Sequence, residues 1–487
     1  MKREEMAKSS SPGAIERGFL ACGRELQEGR EVVVRSPWDQ SVVGTVREAS
    51  HGAVMEAVGS LERSLAATRK LSAHERKRIL LAVAEKIAAQ KEELARLIVA
   101  EAGKPLKAAR VEVERAVLTY TTAAEEAVRM TGEVLPLDLL KGNEGRWGMV
   151  RRFPAGPVFA ITPFNFPLNL VAHKLAPAVA VGCPVLLKPA PQTPLSALRL
   201  GDFLLEAGWP AEALAVMLLS NEDAEFLLEQ EERLKVLSFT GSAKVGWKLK
   251  QKAAKKRVLL ELGGNAAMVV HGDWGDVEGV AKKAVLAGTS YAGQSCISVQ
   301  RVYVERAVFD DFVAQAVKQA GRLVLGDPAN EETDVGPVIR ESDAERIESW
   351  VDEARAGGVT VLAGGSREGC VVEPTLLTGT RRGMKVLDEE VFAPVLAIEP
   401  YDDFNAVLDE VNHSPYGLQA GLFTRDVGRI FRAYETLDVG GLIVGDTPTW
   451  RIDPMPYGGV KDSGLGREGV RYAMDEMTEP KLLVMAV

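Results

Sequence analysis

Cysteine is scarce in this 487-residue chain: Cys22, Cys183, Cys296 and Cys370 are all it has, with no C-x-x-C pair. That argues against a disulfide framework or a zinc knuckle, predicts no metal site, and fits a reducing cytoplasm. Positive charge is also in short supply. Lys and Arg number 59 against 68 Asp and Glu, a formal net charge of −9, the wrong sign for holding a polyanion by bulk electrostatics, so no nucleic-acid partner is expected. Long apolar runs are missing too. The longest, Leu175 to Leu187, is interrupted by Pro177 and Pro184 and falls short of the ~20 residues a membrane span needs. The N-terminal MKREEMAKSSSPGAIERGFL lacks the apolar core of an export signal and reads as a ragged tail. No internal repeat, Pro/Ser-rich linker or long charge run marks a boundary.

What is present is an ordinary globular composition, 46% hydrophobic and 26% charged, long enough for two to four domains at roughly 150 residues each. Ser72 to Gly103 reads as one amphipathic helix. It opens on a capping box, Ser72 with Glu75, and carries Ile79, Leu80, Val83, Ile87, Leu94, Leu97 and Ile98 at helical spacing until Gly103 and Pro105 stop it. Glu133–Leu140 and Arg146–Phe153 flank a turn-rich segment and predict a hairpin whose free edges can pair with another subunit.

From Pro157 on, short apolar runs alternate with helical stretches: 158–162, 185–187, 214–219, 236–239 and 258–262. A second series, 299–304, 359–362, 395–398 and 442–444, follows Cys296. The alternation predicts an α/β protein with parallel sheets in two domains.

Three segments carry candidate chemistry. Gly293-Gln294-Ser295-Cys296 sets a thiol among small residues that allow close backbone approach, and a thiolate is both a good nucleophile and a good leaving group. Glu261-Leu262-Gly263-Gly264 ends an apolar run on a carboxylate that partial burial would tune toward a general base. Pro163-Phe164-Asn165-Phe166-Pro167 supplies an amide able to donate to an oxyanion. Each has a plainer reading: a buried structural thiol, which suffices for Cys183, or an asparagine that caps the next helix.

Taken in order, PFNFP (163–167), KPA (188–190), FTGS (239–242), ELGG (261–264), GQSC (293–296) and EEVFAP (389–394) resemble the aldehyde dehydrogenase superfamily, from about Ser36 to Lys481. Six motifs in one order are far more specific than any one of them.

The resemblance implies a Rossmann-like cofactor domain (1–130 and 155–260), an α/β catalytic domain (261–445, with 446–470 as a returning loop) and an oligomerisation arm (131–154 and 471–487). It further implies that Cys296 attacks an aldehyde, that Asn165 and the Cys296 amide hold the oxyanion, and that Glu261 activates water against a Cys296 thioester. NAD or NADP would meet Thr162, Pro163, Phe164, Lys188, Gly241, Ser242, Leu262, Glu390 and Phe392, with free amides at the helix after Ser242 facing the phosphates. A homodimer or homotetramer is the expected assembly.

Departures from the family pattern matter as well. Pro191 stands where an acid would favour NAD over NADP, which leaves the cofactor open. A second pocket glutamate of some members falls, by counting from Gly466, on Arg471. Gly464-Leu465-Gly466-Arg467-Glu468-Gly469 fits a dinucleotide fingerprint but follows no strand, and reads as a loop near the site. Arg115, His173 and Arg451 form a candidate anion-binding set, against the plainer reading of surface salt bridges and a satisfied helix histidine. That set most resembles branches acting on lactaldehyde, phosphonoacetaldehyde or, without phosphorylation, glyceraldehyde 3-phosphate. The alternatives are a CoA-acylating semialdehyde dehydrogenase and a non-catalytic binding protein on the same fold.

Overall fold

The computed structural model describes residues 14–486. Its first sheet has eight strands, in the order Gly464–Leu465, Arg257–Glu261, Val236–Thr240, Val158–Ile161, Val185–Lys188, Leu214–Val216, Phe19–Ala21, Arg24–Leu26. The five from Arg257–Glu261 to Leu214–Val216 run parallel, and the flanking strands are antiparallel. Alternate residues of one strand enter separate cores: Val158 and Ala160 on one face, Phe159 on the other. A sheet buried on both faces accounts for apolar runs without polar alternation.

The second sheet has seven strands, in the order Thr360–Ala363, Thr375–Thr378, Val395–Tyr401, Val299–Glu305, Ala266–Val270, Gln419–Phe423, Gly441–Val444, parallel except at Thr360–Ala363. Leu262 to Asn265 link the two sheets directly, because Arg257–Glu261 belongs to the first and Ala266–Val270 to the second. Glu261 therefore sits at the crossing.

Four expectations need correction. The helix predicted over 72–103 keeps its capping box but is two helices, Ala73–Ala89 and Lys91–Ala102, with a break at Gln90 and a left-handed Gly103 at the end. The break lets Ile79, Val83 and Ile87 share one core with Leu94 and Ile98. The hairpin's first strand stops at Pro136, and a third strand, Thr478–Ala486, pairs along the whole of Arg146–Pro154, so one of the expected free edges is covered.

The N-terminal tail reading lies outside the described residues for positions 1–13, and beyond them it fails. Ile15–Glu16 pairs with Val42–Glu48, and buried Phe19–Ala21 joins the first sheet. Finally, the fingerprint-like loop does contain a short strand, Gly464–Leu465, antiparallel to Leu260 and Glu261. Among the described residues no helix is long and apolar enough to cross a membrane.

Candidate active site

A cavity of about 270 Å³ opens where the C-terminal ends of the first sheet's parallel strands meet the loop that leads into Val299–Glu305. Crevices of this kind form because successive strands send their connections to opposite faces of the sheet. Cys296, Glu261 and Asn165 all line it.

Cys296 is carried on a strained turn. Tyr291, Ala292 and Gly293 have φ of 49°, 50° and 70°, a left-handed run that only Gly adopts freely. Two glycines let this turn sit where it does. A Cβ on Gly293 would lie 2.0 Å from the Ala393 carbonyl oxygen, and one on Gly264 would lie 2.1 Å from the Cys296 carbonyl oxygen. Burial pushes the Cys296 thiol up to about 11, against a 3.0 Å contact with the Tyr457 hydroxyl and the nearby charge of Arg451. The Cys296 amide donates to no backbone acceptor among the described residues.

Asn165 is oriented by the same turn. Its Nδ2 donates to the Gln294 carbonyl at 3.0 Å, and Gln294 is itself fixed by accepting from the Ile339 amide at 2.9 Å. One Nδ2 proton stays free, so this amide and that of Cys296 supply two donors for an oxygen bound at the thiol. Behind both loops lies a buried ion pair. Lys104 pairs with Glu112 and sits 3.7 Å from the Phe166 ring centre and 4.6 Å from that of Tyr291. Glu112 also accepts from the Leu168 and Asn169 amides at 2.9 and 3.1 Å. One pair thus braces the segments that bear Asn165 and Cys296.

Glu261 is 3% exposed, and neither carboxylate oxygen has a hydrogen-bond partner among the described residues. Burial, and then the neighbouring charge of Glu468, push its carboxyl well above the usual range, with Lys174 and Arg451 opposing. A carboxyl in that state holds its proton at neutral pH, and only its ionised fraction can accept one from a water entering the cavity.

The other end of the cavity is lined by Pro163, Phe164, Gly241, Ser242, Leu262, Glu390 and Phe392. Ser242 precedes the helix Ala243–Lys252 without a side-chain cap, so the first-turn amides stay available to an anion. Thr162 Oγ1, Ser238 Oγ, Thr240 Oγ1 and Trp247 Nε1 are buried without partners among the described residues. Glu390 accepts from the Gly264 amide at 2.8 Å, and burial raises its carboxyl to about 7. Phe392, at φ 54°, meets Phe164 edge-on with ring centres 6.1 Å apart.

A bare helix N-terminus, the orphaned Thr240 hydroxyl on the wall and a carboxylate acceptor fit a dinucleotide's phosphates and ribose hydroxyls, whereas Thr162, Ser238 and Trp247 lie outside the lining. Thr162 and Lys188 stand at neighbouring strand ends outside the wall itself, and burial lowers the ammonium pKa of Lys188. The wall also includes Arg340 and Arg346, which the sequence did not single out.

Arg115, His173 and Arg451 do converge, but not as three ligands. Arg115 forms a bidentate pair with Asp453, at 3.2 and 2.7 Å. His173 is 1% exposed, binds Asp453 at 2.8 Å through Nε2, and lies behind the wall; its expected direct contact with substrate is therefore corrected. Arg451 reaches Glu468 at 3.1 Å, stacks 3.6 Å over the Tyr457 ring centre, and keeps a buried Nε without a partner among the described residues. Burial disfavours its charge, yet Glu468, Tyr457 and Asp453 hold its pKa above the ordinary arginine value.

Glu468 also binds Lys174 at 2.9 Å and lines the cavity, so a second glutamate is present after all, three positions before the exposed Arg471 that counting had indicated. Burial opposes its charge, but Lys174, His173 and Arg451 bring its carboxyl down to about 2. The sequence held one signal for this network. Lys174 lies in the helix Asn169–Val181, every residue of which is buried, and a buried lysine requires a partner.

The chain matches the model of the "Aldehyde dehydrogenase family" over residues 25–483. It is 43% identical to a 3-sulfolactaldehyde dehydrogenase of Priestia aryabhattai, over 96% of this chain and 98% of that protein. Among solved structures, aldehyde dehydrogenase 21 from Physcomitrella patens, in complex with the reaction product succinate, is 42% identical with a TM-score of 0.95, over 97% of this chain and 98% of that one. The glyceraldehyde-3-phosphate dehydrogenase GapN of Methanocaldococcus jannaschii, complexed with NADP, is 36% identical with a TM-score of 0.90, over 95% and 100%.

Proposed function

The chain belongs to the aldehyde dehydrogenase family, oxidoreductases that turn aldehydes into carboxylates with NAD or NADP, and we propose that its own substrate is a small aldehyde bearing an acidic group, oxidised through a thioester on Cys296. The observation that carries the substrate class is Arg451, on the cavity wall with its side chain 7% exposed and its buried Nε without a partner among the described residues. Around it three cations, Arg115, Lys174 and Arg451, face two carboxylates held ionised, Glu468 and Asp453. One positive charge remains unmatched while Glu261 keeps its proton, and an uncompensated buried charge attracts a counter-ion strongly. The relatives point the same way: one is a 3-sulfolactaldehyde dehydrogenase, one binds succinate and one is a glyceraldehyde-3-phosphate dehydrogenase.

In this reading the Cys296 thiolate adds to the aldehyde carbon, forming the C–S bond as the C=O π pair moves onto oxygen. The free Nδ2 proton of Asn165 and the Cys296 amide hold that oxyanion. A bound NAD or NADP supplies the two-electron acceptor for the adduct, and Gly241, Ser242, Leu262, Glu390 and Phe392 are the residues that would hold it. Oxidation of the adduct leaves the thioester on Sγ. Glu261 then takes a proton from water, the water oxygen attacks the thioester carbon, and Cys296 departs as thiolate. The raised pKa of Glu261 predicts that this last stage accelerates as pH rises and its carboxylate population grows.

The arm supports a homodimer or homotetramer, since Leu482, Leu483 and Val484 lie half-exposed on the sheet-edge strand Thr478–Ala486. A cytoplasmic location fits four free cysteines. The deciding experiment incubates wild type and Cys296→Ala with NAD or NADP, with and without CoA, across neutral and anionic aldehydes. Wild type is expected to reduce cofactor without CoA and to prefer anionic aldehydes, and the variant to lose about 10⁴-fold or more in kcat. An active alanine variant would refute the thioester route, and strict dependence on CoA would replace water with a thiol.

A further inference from the structure

Tyr457 forms part of the cavity wall and is 3% exposed. Its backbone is pinned by a two-way bridge with Glu468, at 2.9 and 2.5 Å. The ring is clamped beneath the Arg451 guanidinium, 3.6 Å from the ring centre. The hydroxyl reaches Cys296 Sγ at 3.0 Å, the one side-chain hydrogen bond it makes among the described residues. A buried ring needs no hydroxyl for packing, and a buried hydroxyl aimed at a single sulfur is a polar group with a single use.

We propose that Tyr457 is a catalytic residue, the hydrogen-bond donor that stabilises the Cys296 thiolate, with Arg451 stacked on its ring to strengthen the donor. This rests on the reading of Cys296 as nucleophile. The direction of donation follows from the thiolate itself: the sulfur then carries no proton, so across the 3.0 Å contact only the tyrosine O–H can donate, and burial favours that hydroxyl keeping its proton. A cation against the ring face draws electron density toward itself and polarises the O–H bond outward.

No covalent bond to tyrosine forms, and its proton stays on oxygen. The thiol proton passes to the water of the cavity, and Tyr457 O–H donates to the sulfur lone pair left behind. A thioester sulfur is a poor acceptor, so the bond weakens after acylation and returns when hydrolysis releases the thiolate. The hydroxyl therefore assists both attack and departure.

The charged and titratable groups around Cys296 are Tyr457, Arg451, Glu390 and Glu261, with Glu468 and Arg115 on the same wall. Tyr457→Phe removes one oxygen and leaves all the others, so the difference between two pH profiles isolates the hydroxyl. The measurement is the rate of Cys296 alkylation by iodoacetamide against pH, with the site assigned by peptide mass spectrometry.

The variant is expected to raise the apparent pKa of Cys296 by about one unit, and to slow alkylation about tenfold at any pH below it. Its kcat for aldehyde oxidation should fall with KM little changed. Superimposable profiles, or a pKa that falls, would overturn the proposal and leave the nucleophile assignment intact. If protein fully alkylated at Cys296 still oxidises aldehyde, the nucleophile reading fails, and the catalytic role of Tyr457 falls with it.

Discussion

Two buried ionic systems flank the cavity and behave oppositely. Lys104 and Glu112 form a closed one: a single cation faces a single carboxylate, both aromatic neighbours cover the ammonium, and the remaining carboxylate oxygen takes two backbone amides. Arg115, Lys174, Arg451, Asp453 and Glu468 form an open one, with an excess cation and an arginine Nε left over. A closed pair has nothing to offer a ligand, so its effect is on geometry, and it holds the loops of Asn165 and Cys296 in place. An open network has a charge and a donor left over, which on the proposed reading an anionic substrate would complete. The same residue types thus serve positioning or recognition according to whether their hydrogen-bonding capacity is exhausted within the protein.

The largest expected effect comes from breaking the closed pair. Lys104→Met leaves Glu112 charged and buried, and should lower the unfolding free energy by about 3–5 kcal/mol in denaturant titrations. Adding Glu112→Gln removes the stranded charge and should recover more than half of that loss. Equal instability of the single and double variants would mean that the pair is not a self-contained unit.

On the open side, Arg451→Gln should cost about 3 kcal/mol, roughly 100-fold, in kcat/KM for aldehydes bearing a sulfonate, phosphate or carboxylate. A neutral aldehyde of equal length should lose only what the weakened Tyr457 donor costs, about tenfold, or roughly 1.4 kcal/mol. Equal losses on both substrates would overturn the assignment of Arg451 to anion recognition.

Glu390 is an intermediate case, a partly buried carboxyl whose one hydrogen bond among the described residues is to the Gly264 amide, raised to about 7. Below that pH it is protonated and one acceptor site is lost; above it both oxygens accept. Cofactor affinity, read by fluorescence titration, should therefore weaken about threefold as pH falls through 7, the scale of one ordinary hydrogen bond. In Glu390→Gln the titration should be flat, and a retained pH dependence would place the responsible group elsewhere.

Much of the fold was legible because its signals are local. The apolar runs at 158–162, 185–187, 236–239 and 258–262 lie on parallel strands, and the Ser72–Glu75 capping box forms as expected. The break at Gln90 was not legible, since the periodicity on either side is helical and only packing on a shared core sets the angle between the two pieces. Nor was the pairing of Thr478–Ala486 with Arg146–Pro154, two strands more than 320 positions apart.

The linear sequence by itself determined the family, through six motifs in one order, and with it singled out Cys296, Glu261 and Asn165, which the structure brings to one cavity. Their types and neighbours are dictated by chemistry at one point: a sulfur, an amide and a carboxylate, each on a glycine-rich or proline-rich turn. Only the tertiary structure decided what lies around them. Arg115 and Asp453 are 338 positions apart, and Lys174 and Glu468 are 294 apart. Nothing in the spacing of either pair records that they meet. Local periodicity tells which face of an element is buried; which charges are left without partners there depends on how the elements pack.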